Sequence, residues 1–455
     1  MIDSSARVRA GHLDAEPVAS YLAGLLGLET TKAPEAAVQL LLDADLELGD
    51  EGYELVAGAG RVTIRAYRSA GLFWGVQTLR QLLPATVRLP AEVPGVRIRD
   101  VPRFAWRGLM LDVARHFFGV RDVKRVIDLT ALYKMNVLHL HLTDDQGWRI
   151  AVDSWPDLAV VGGRTAVGGD PGGYYTKADY AEILDYAASR FITVVPEIDV
   201  PGHTNAALVA YPELTCDGQA PPIATGTEVG FSSLCPGKPI TQQFIEEVFG
   251  ELAAMTPGPY LHLGGDEALS TPAGQYAPFI ERVQKVIQTF GKQPVGWQEV
   301  SSADLVSAAV VQYWSPQAGP AQAVAAVRKR ARLIMSPADR AYLDMKYDVA
   351  TGLGLDWAGH VDVQDSYGWD PAEIASEITE PDVLGVEAAL WTETVTNVSE
   401  IERMLLPRLP ALAEVAWSQR DARDWAGFRT RLASQAARWD VSRTAYHRSP
   451  IIPWP

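Results

Sequence analysis

The residues in this chain best suited to chemistry are two adjacent acids, Asp266 and Glu267, which close the segment LHLGGDEAL at 261 to 269. An apolar run, two glycines and then two acids put both carboxyls at the end of a predicted strand. Neighbouring side chains on an extended backbone point in different directions. One acid can therefore face a substituent of the reacting carbon while the other reaches a leaving-group oxygen, a division that suits one carboxylate and one protonated acid. Most Asp-Glu pairs are solvated helix starts; the buried run and Gly264-Gly265 in front of this one set it apart.

The chain holds 13 tryptophans, and Trp297, Trp314, Trp357 and Trp391 fall at predicted strand ends or in the loops beyond them. Any one of these could be ordinary core packing. Four on one rim, interleaved with Arg115, Asp144, Asp344 and Glu393, suit a carbohydrate pocket: indole stacks on the apolar face of a sugar ring and charged groups grip its hydroxyls. His139 and His141 share one face of a strand in HLHLTDD and invite a metal reading. With eight histidines in the chain, and tryptophans where the fifth and sixth strands would supply ligands, no metal centre is expected and both read as structural. His203, in DVPGHT, follows Asp199 and can either hydrogen-bond a rim carboxylate or serve as a satisfied structural histidine. No cofactor is expected, because there is no GK[ST] phosphate loop, no GxGxxG opening a helix and no GxSxG elbow.

Such residues need a scaffold that gathers distant segments. Short apolar runs alternate with helical stretches at Gly108–Val113, Val137–Leu142, Ile192–Ile198, Tyr260–Leu263, Pro294–Trp297, Val310–Trp314, Arg332–Met335 and Val383–Leu390. Strands buried on both faces read as near-continuous apolar runs, and their alternation with helices implies parallel pairing. Eight such units over residues 99–455 predict an α/β fold, a (β/α)8 TIM barrel, with long insertions at Asp145–Asp179 and Tyr211–Lys238. Asp144, Asp199, Asp266, Glu267, Trp297, Trp314 and Glu393 then lie at the C-terminal ends of six strands, the rim where barrel enzymes build active sites. Residues 1–98 read as a small α+β domain: a helix near Ala15–Leu26, strands at Val38–Leu42 and Val62–Tyr67, and a helix over Ser69–Leu83 stopped by Pro84. Pro90–Pro102, with three prolines and a glycine, reads as the linker.

At 455 residues and 47% hydrophobic, the chain has material for about two or three domains. Its 56 acidic against 40 basic residues give a formal charge of −16, which repels polyanions, so nucleic acid is not expected as a partner. No apolar stretch approaches the roughly 18 residues of a membrane helix, so no membrane association is expected. Cys216 and Cys235, in a Pro/Gly-rich stretch, are either a loop-closing disulfide or two free thiols. The N-terminus has no basic stub followed by an apolar run, so no export signal is expected in this chain, which suits a cytoplasmic protein or a trimmed form of a secreted one.

Five segments in order carry a resemblance: RGLMLDVARHFF at 107–118, NVLHLHLTDDQGWRI at 136–150, VVPEIDVPGHTNAAL at 194–208, LHLGGDE at 261–267 and GVEAALWTE at 385–393. Over nearly its whole length the chain resembles glycoside hydrolase family 20, the β-N-acetylhexosaminidases, most closely the bacterial enzymes of actinomycete type. The resemblance implies a small α+β domain ahead of a catalytic barrel, and exo-acting removal of terminal β-linked GlcNAc or GalNAc from oligosaccharides or glycoconjugates. It also implies a retaining, substrate-assisted mechanism, in which the sugar's 2-acetamido oxygen attacks the anomeric carbon in place of an enzyme carboxylate.

Carried over by motif, Glu267 would be the general acid and then the base, and Asp266 would orient the acetamido N–H and stabilise an oxazolinium-like intermediate. Tyr342, in AYLDMKY, would donate to the acetamido oxygen, and Trp297, Trp314 and Trp391 would enclose its methyl group. Arg115, Asp344 and Glu393 would bind the remote hydroxyls, Trp357 would stack near the leaving side, and Asp144, Asp199 and His203 would support Glu267. In the actinomycete enzymes a disulfide occupies the loop matching Cys216 and Cys235, which favours the bridge here. A lacto-N-biosidase-like enzyme taking disaccharides, or a sugar-binding protein without turnover, would use the same residues. The motifs leave the natural substrate open, chitin oligomers or N-glycans included, and specify no oligomeric state.

Overall fold

The computed structural model describes residues 1–58 and 60–455. The first hundred residues form β1 (Arg7–Ala10), α1 (Glu16–Leu26), β2 (Glu29–Thr31), β3 (Val38–Leu42), β4 (Tyr53–Gly58), β5 (Arg61–Ala66), α2 (Ser69–Leu82) and β6 (Val96–Asp100). The strands make one sheet in the order β2-β1-β3-β5-β4-β6, with β4 antiparallel to both neighbours and the other pairs parallel. Val18, Leu22 and Leu26 of α1 and Leu72, Trp74, Val76 and Leu79 of α2 supply the helical side of this core.

The segment Pro90–Pro102 is not a free linker. Its Val96–Asp100 is the edge strand β6, paired along β4 from Tyr53 opposite Asp100 to Ala57 opposite Val96. Val96, Ile98 and Asp100 alternate with Arg97 and Arg99, the period of a strand with one covered face, while the prolines flank the strand without interrupting it.

The barrel strands are β7 (Trp106–Asp112), β8 (Val137–His141), β11 (Thr193–Glu197), β12 (Tyr260–His262), β13 (Gln293–Trp297), β14 (Val310–Tyr313), β15 (Arg332–Met335) and β16 (Val383–Leu390), with a small hairpin, β9 (Thr143–Asp144) and β10 (Gly147–Trp148), after the second. All eight apolar runs are strands, and they close in the order β11-β12-β13-β14-β15-β16-β7-β8 with every pair parallel. The fold is the α/β architecture that the pattern predicts, a (β/α)8 barrel behind a small α+β domain. Amphipathic α3 (Val120–Leu132) joins β7 to β8 and buries Val123, Val126, Ile127 and Leu129.

The small domain is clamped to the end of the barrel away from the rim. Arg107, near the start of β7, reaches both oxygens of Glu51 at 2.6 and 2.9 Å, and the Trp417 indole donates to Asp100 at 2.8 Å. The rim is thereby left to the loops. Among the described residues no helix is long and apolar enough to cross a membrane.

Candidate active site

Strand β12 stops at His262, and the chain then turns through Gly264 and Gly265 with φ of 69° and 99°. Glycine adopts this region without a Cβ penalty. At Gly264 there is also no room for one: a Cβ would lie 1.8 Å from Asp199 Oδ1. The turn is pinned by the Gly265 N–H donating to Asp199 Oδ1 (2.9 Å) and by the Trp297 N–H donating to the Gly264 carbonyl (2.9 Å). Glu267 itself has φ of 42°, an uncommon conformation for a side-chain-bearing residue. It turns the Glu267 side chain outward, where it is 32% exposed, beside Asp266, which is buried.

Burial, reinforced by the negative charges of Glu197 and Glu267, pushes the Asp266 carboxyl up to about 6, although His203 opposes the shift. Burial and the charge of Asp266 hold Asp199 well above the usual carboxylate range. The two acids titrate as a pair in which Asp199 keeps a proton and Asp266 ionises first. His203 joins them to the second strand. Its Nδ1 donates to Asp144 Oδ1 at 3.2 Å, and its Nε2 lies 3.4 Å from Glu267 Oε2 and 3.6 Å from Asp266 Oδ2. Burial works against a charged imidazole here, but Asp144 and Asp266 outweigh it and raise His203 well above its ordinary value.

The acids open onto a cavity of about 360 Å³ that Arg115, Trp314, Tyr342, Asp344, Trp357, Trp391 and Glu393 also line, a size that suits a small ligand. Tyr342 stacks within 14° of parallel on Trp314 (6.3 Å) and meets Trp391 at 6.1 Å and the edge of Trp357 at 5.9 Å. Trp357 is 47% exposed at the mouth. Trp297 lies deeper, buried behind the wall with its ring 5.7 Å from Trp391 and its indole N–H donating to Glu197 (2.8 Å).

At the inner end, Arg115 pairs with Asp144 at 2.8 Å and lies over the Trp391 ring at 4.9 Å. Among the described residues, both oxygens of buried Asp344, one oxygen of Glu393, Arg115 Nε and Trp391 Nε1 have no hydrogen-bond partner. Burial and then the Glu393 charge raise Asp344 well above its ordinary range. Buried polar atoms left without partners around a cavity are what the hydroxyls of a sugar would satisfy.

Arg115, Asp266, Glu267, Trp314, Tyr342, Asp344, Trp357, Trp391 and Glu393 therefore line one cavity, Asp144, Asp199 and His203 stand behind its acids, and Trp297, expected around the acetamido methyl, lies behind Trp391. Cys216 and Cys235 are joined by a disulfide, and the loop between them sends Thr227 and Val229 to the cavity wall. His139 lies between Glu197 and Glu387, and His141 between Glu197 and Asp144, each ring nitrogen 2.7–2.9 Å from a carboxylate oxygen.

Several residues escaped sequence reasoning. Asp112 accepts the N–H groups of Ala114, Arg115 and Thr392 at 2.8, 3.1 and 3.1 Å and so aims the arginine. Glu299 accepts the Trp314 indole N–H at 3.1 Å, and burial with the nearby Asp266 charge pushes its carboxyl up to about 8. Glu197 and Glu387 sit inside barrel strands with no exposure. The available signal was an acid within an apolar run: Glu197 stands two residues before Asp199, and such offsets share a strand face.

A closed parallel barrel whose rim carries paired acids in an aromatic-walled, hydroxyl-hungry cavity defines a glycoside hydrolase. Family models agree: residues 104–420 match the catalytic domain of glycosyl hydrolase family 20, and residues 2–101 match that family's domain 2. The chain belongs to glycosyl hydrolase family 20. It is 51% identical to a β-N-acetylhexosaminidase of Cellulomonas fimi over 420 residues, covering 92% of this chain and 85% of that protein. The structure of the family 20 β-N-acetylhexosaminidase of Streptomyces coelicolor A3(2) superposes with a TM-score of 0.97 at 52% identity, covering 100% of this chain and 95% of that one. A Streptomyces plicatus β-hexosaminidase variant in complex with the product GlcNAc matches equally, at 0.97 and 52% over 100% of this chain and 94% of that one.

Proposed function

We propose that this chain is an exo-acting β-N-acetylhexosaminidase that removes a terminal β-linked GlcNAc or GalNAc with the substrate's own 2-acetamido oxygen as nucleophile. The observation that carries the reading is buried Asp266 beside outward-turned Glu267 at the edge of the Tyr342–Trp314–Trp391 box. The names of the relatives and the GlcNAc complex of one of them support the same substrate class.

The terminal sugar enters with its remote hydroxyls against Arg115, Asp344 and Glu393. These close the inner end, so a chain end fits and an internal residue does not. The aromatic box holds the acetamido group dry and against the anomeric carbon, which makes a mobile amide a near-attack group. Asp266, as carboxylate, accepts the acetamido N–H and Tyr342 donates its O–H to the acetamido oxygen. Glu267 gives its proton to the glycosidic oxygen as that C–O bond breaks, and the acetamido oxygen bonds to the anomeric carbon. The resulting cation lies beside the Asp266 charge. Glu267, now a carboxylate, takes a proton from water as the water attacks the same carbon and reopens the ring. Two inversions give net retention.

The test is turnover of matched aryl β-GlcNAc and β-GalNAc substrates together with inhibition by a GlcNAc-thiazoline, a mimic of the cyclised intermediate. Hydrolysis that the thiazoline blocks is the expected result. No turnover, or indifference to the thiazoline, overturns the reading, and the ratio of the two substrates gives the sugar preference.

A further inference from the structure

The centre of a TIM barrel is ordinarily filled by layers of branched apolar side chains. Here its upper layers hold charge. We infer that Glu197, the last residue of β11, is a positioning residue for the catalytic acid, acting through His141, and that it also holds Trp297 behind the aromatic wall; the inference rests on the hexosaminidase reading.

Parallel register puts Glu197 beside His141 on β8 and beside His262 on β12, so three inward-facing side chains share one layer. From Glu197 two hydrogen-bonded arms reach the site. In the first, His141 donates from Nδ1 to Glu197 (2.7 Å) and from Nε2 to Asp144 (2.9 Å), and Asp144 in turn holds Arg115 and His203, whose far nitrogen faces Glu267. In the second, Glu197 Oε1 accepts the Trp297 indole N–H, which fixes the ring behind Trp391. The same oxygen also lies 3.1 Å from His262 Nδ1, but that nitrogen accepts the Gly264 N–H (3.0 Å) and so faces the carboxylate without a hydrogen bond.

Below, His139 lies between Glu197 and Glu387 at 2.8 Å from each, and Glu387 accepts from Trp106 (2.8 Å) and Gln312 (2.9 Å). Every ionisable member of this cluster is buried. Buried ion clusters are poor stabilisers compared with apolar packing of the same volume, so stability alone gives no reason for this one. Its geometry does: one carboxylate ties together the hydroxyl-binding arginine, the histidine that faces Glu267 and the indole wall. With a carboxylate on each nitrogen, His141 must donate from both, and the resulting imidazolium keeps Asp144 ionised against His203. A neutral side chain at 197 leaves His141 free to lose that proton, and the strain passes along Asp144 and His203 to Glu267.

The experiment compares wild type, Glu197→Gln and Glu197→Asp on a dinitrophenyl β-GlcNAc and on a β-GlcNAc with an alkyl leaving group, across pH, with folded sites counted by thiazoline titration. Only the alkyl substrate needs a well-placed acid. For the Gln variant the expected result is a kcat loss about tenfold larger on the alkyl than on the dinitrophenyl substrate, with a shifted pH limb for the alkyl substrate alone. If the Gln variant does not fold, the Asp variant, which keeps the charge but withdraws it by one methylene, is read in the same way. Equal losses on both substrates, a change in KM alone or full activity would overturn the inference while leaving the proposed function intact. A wild type without turnover sinks both.

Discussion

Nε2 of His203 lies 3.4 Å from Oε2 of Glu267. The contact joins the loop after the third barrel strand to the loop after the fourth, and it sets a cationic ring against the more exposed of the two adjacent acids. In the proposed mechanism, the charge that appears on Glu267 as it gives up its proton is met by the imidazolium.

Replacing Glu267 by Gln removes the transferable proton while keeping the shape of the side chain. Hydrolysis of substrates with poor leaving groups is expected to fall by about 10²- to 10⁴-fold, the usual worth of general acid catalysis, and that of activated aryl substrates by much less. Steady-state kinetics on a series of leaving groups checks this, and a uniform loss across the series contradicts the role.

Asp266 must be ionised to accept the acetamido N–H and face a cation. Because its carboxyl is pushed up to about 6, it becomes protonated as pH falls below that value, and kcat/KM should decline there. Asp266→Asn should cost about 10²- to 10³-fold, as for loss of one preorganised electrostatic group, and should flatten that limb. An unchanged acid limb in the variant would assign it to another group.

Fold stability should peak in mildly acidic solution. Glu299 and Asp266 sit at about 8 and 6 in the folded chain against ordinary values of 4.5 and 3.8, and His139 and His141 at about 9 and 10 against 6.5. Each binds its proton more tightly folded than unfolded, so stability is lost as pH rises through these windows. Glu251, lowered to about 2 from 4.5, acts the other way, as do Asp144 and Glu197, held well below their ordinary values; their contribution is lost as pH falls. The two trends meet at about pH 5. A thermal-melting series from pH 3 to 10 reads this directly, and a maximum in alkaline buffer contradicts it.

Gly264→Ala places a methyl group 1.8 Å from Asp199 Oδ1 at a φ of 69°. Left-handed strain and overpacking each cost about 1–3 kcal/mol, so the variant should lose roughly 2–6 kcal/mol of stability. Denaturant unfolding measures the loss, and activity should fall with it because the turn that carries both acids moves.

Cys216→Ser with Cys235→Ser opens a loop whose ends are 19 residues apart. In the chain-entropy account, a loop of this length is worth about 3 kcal/mol. Melting with and without reductant should show the loss in the wild type and none in the double variant.

Both the barrel and its rim could be read along the chain because each strand carries its own signature. Val383–Leu390 is buried on both faces and so is apolar but for Glu387, and Val137–His141 is apolar but for its two histidines. Edge strand Val96–Asp100 was harder to read, since only one face is covered and three prolines stand around it. Glu197 and Glu387 are hidden for the opposite reason: a single acid in an apolar stretch looks like an exception until the residues across the barrel are known, and Glu299, in the turn Gln298–Ser302, stands among polar neighbours that give it no distinction.

Local order alone determined which residue types stand where: two acids after an apolar run and two glycines, indoles and charges at strand ends, and two cysteines in one loop. Only barrel closure decided what each of them meets. It brought β16 against β7, so that Asp112 receives the N–H of Thr392 from 280 residues away, and it set Glu197 between His141 and His262. It also withdrew Trp297 behind Trp391 and aimed His203 at Glu267. Periodicity reports whether a side chain faces inward, because that depends on its own strand. Its partner there depends on the register and closure of eight strands together, which no single stretch of chain encodes.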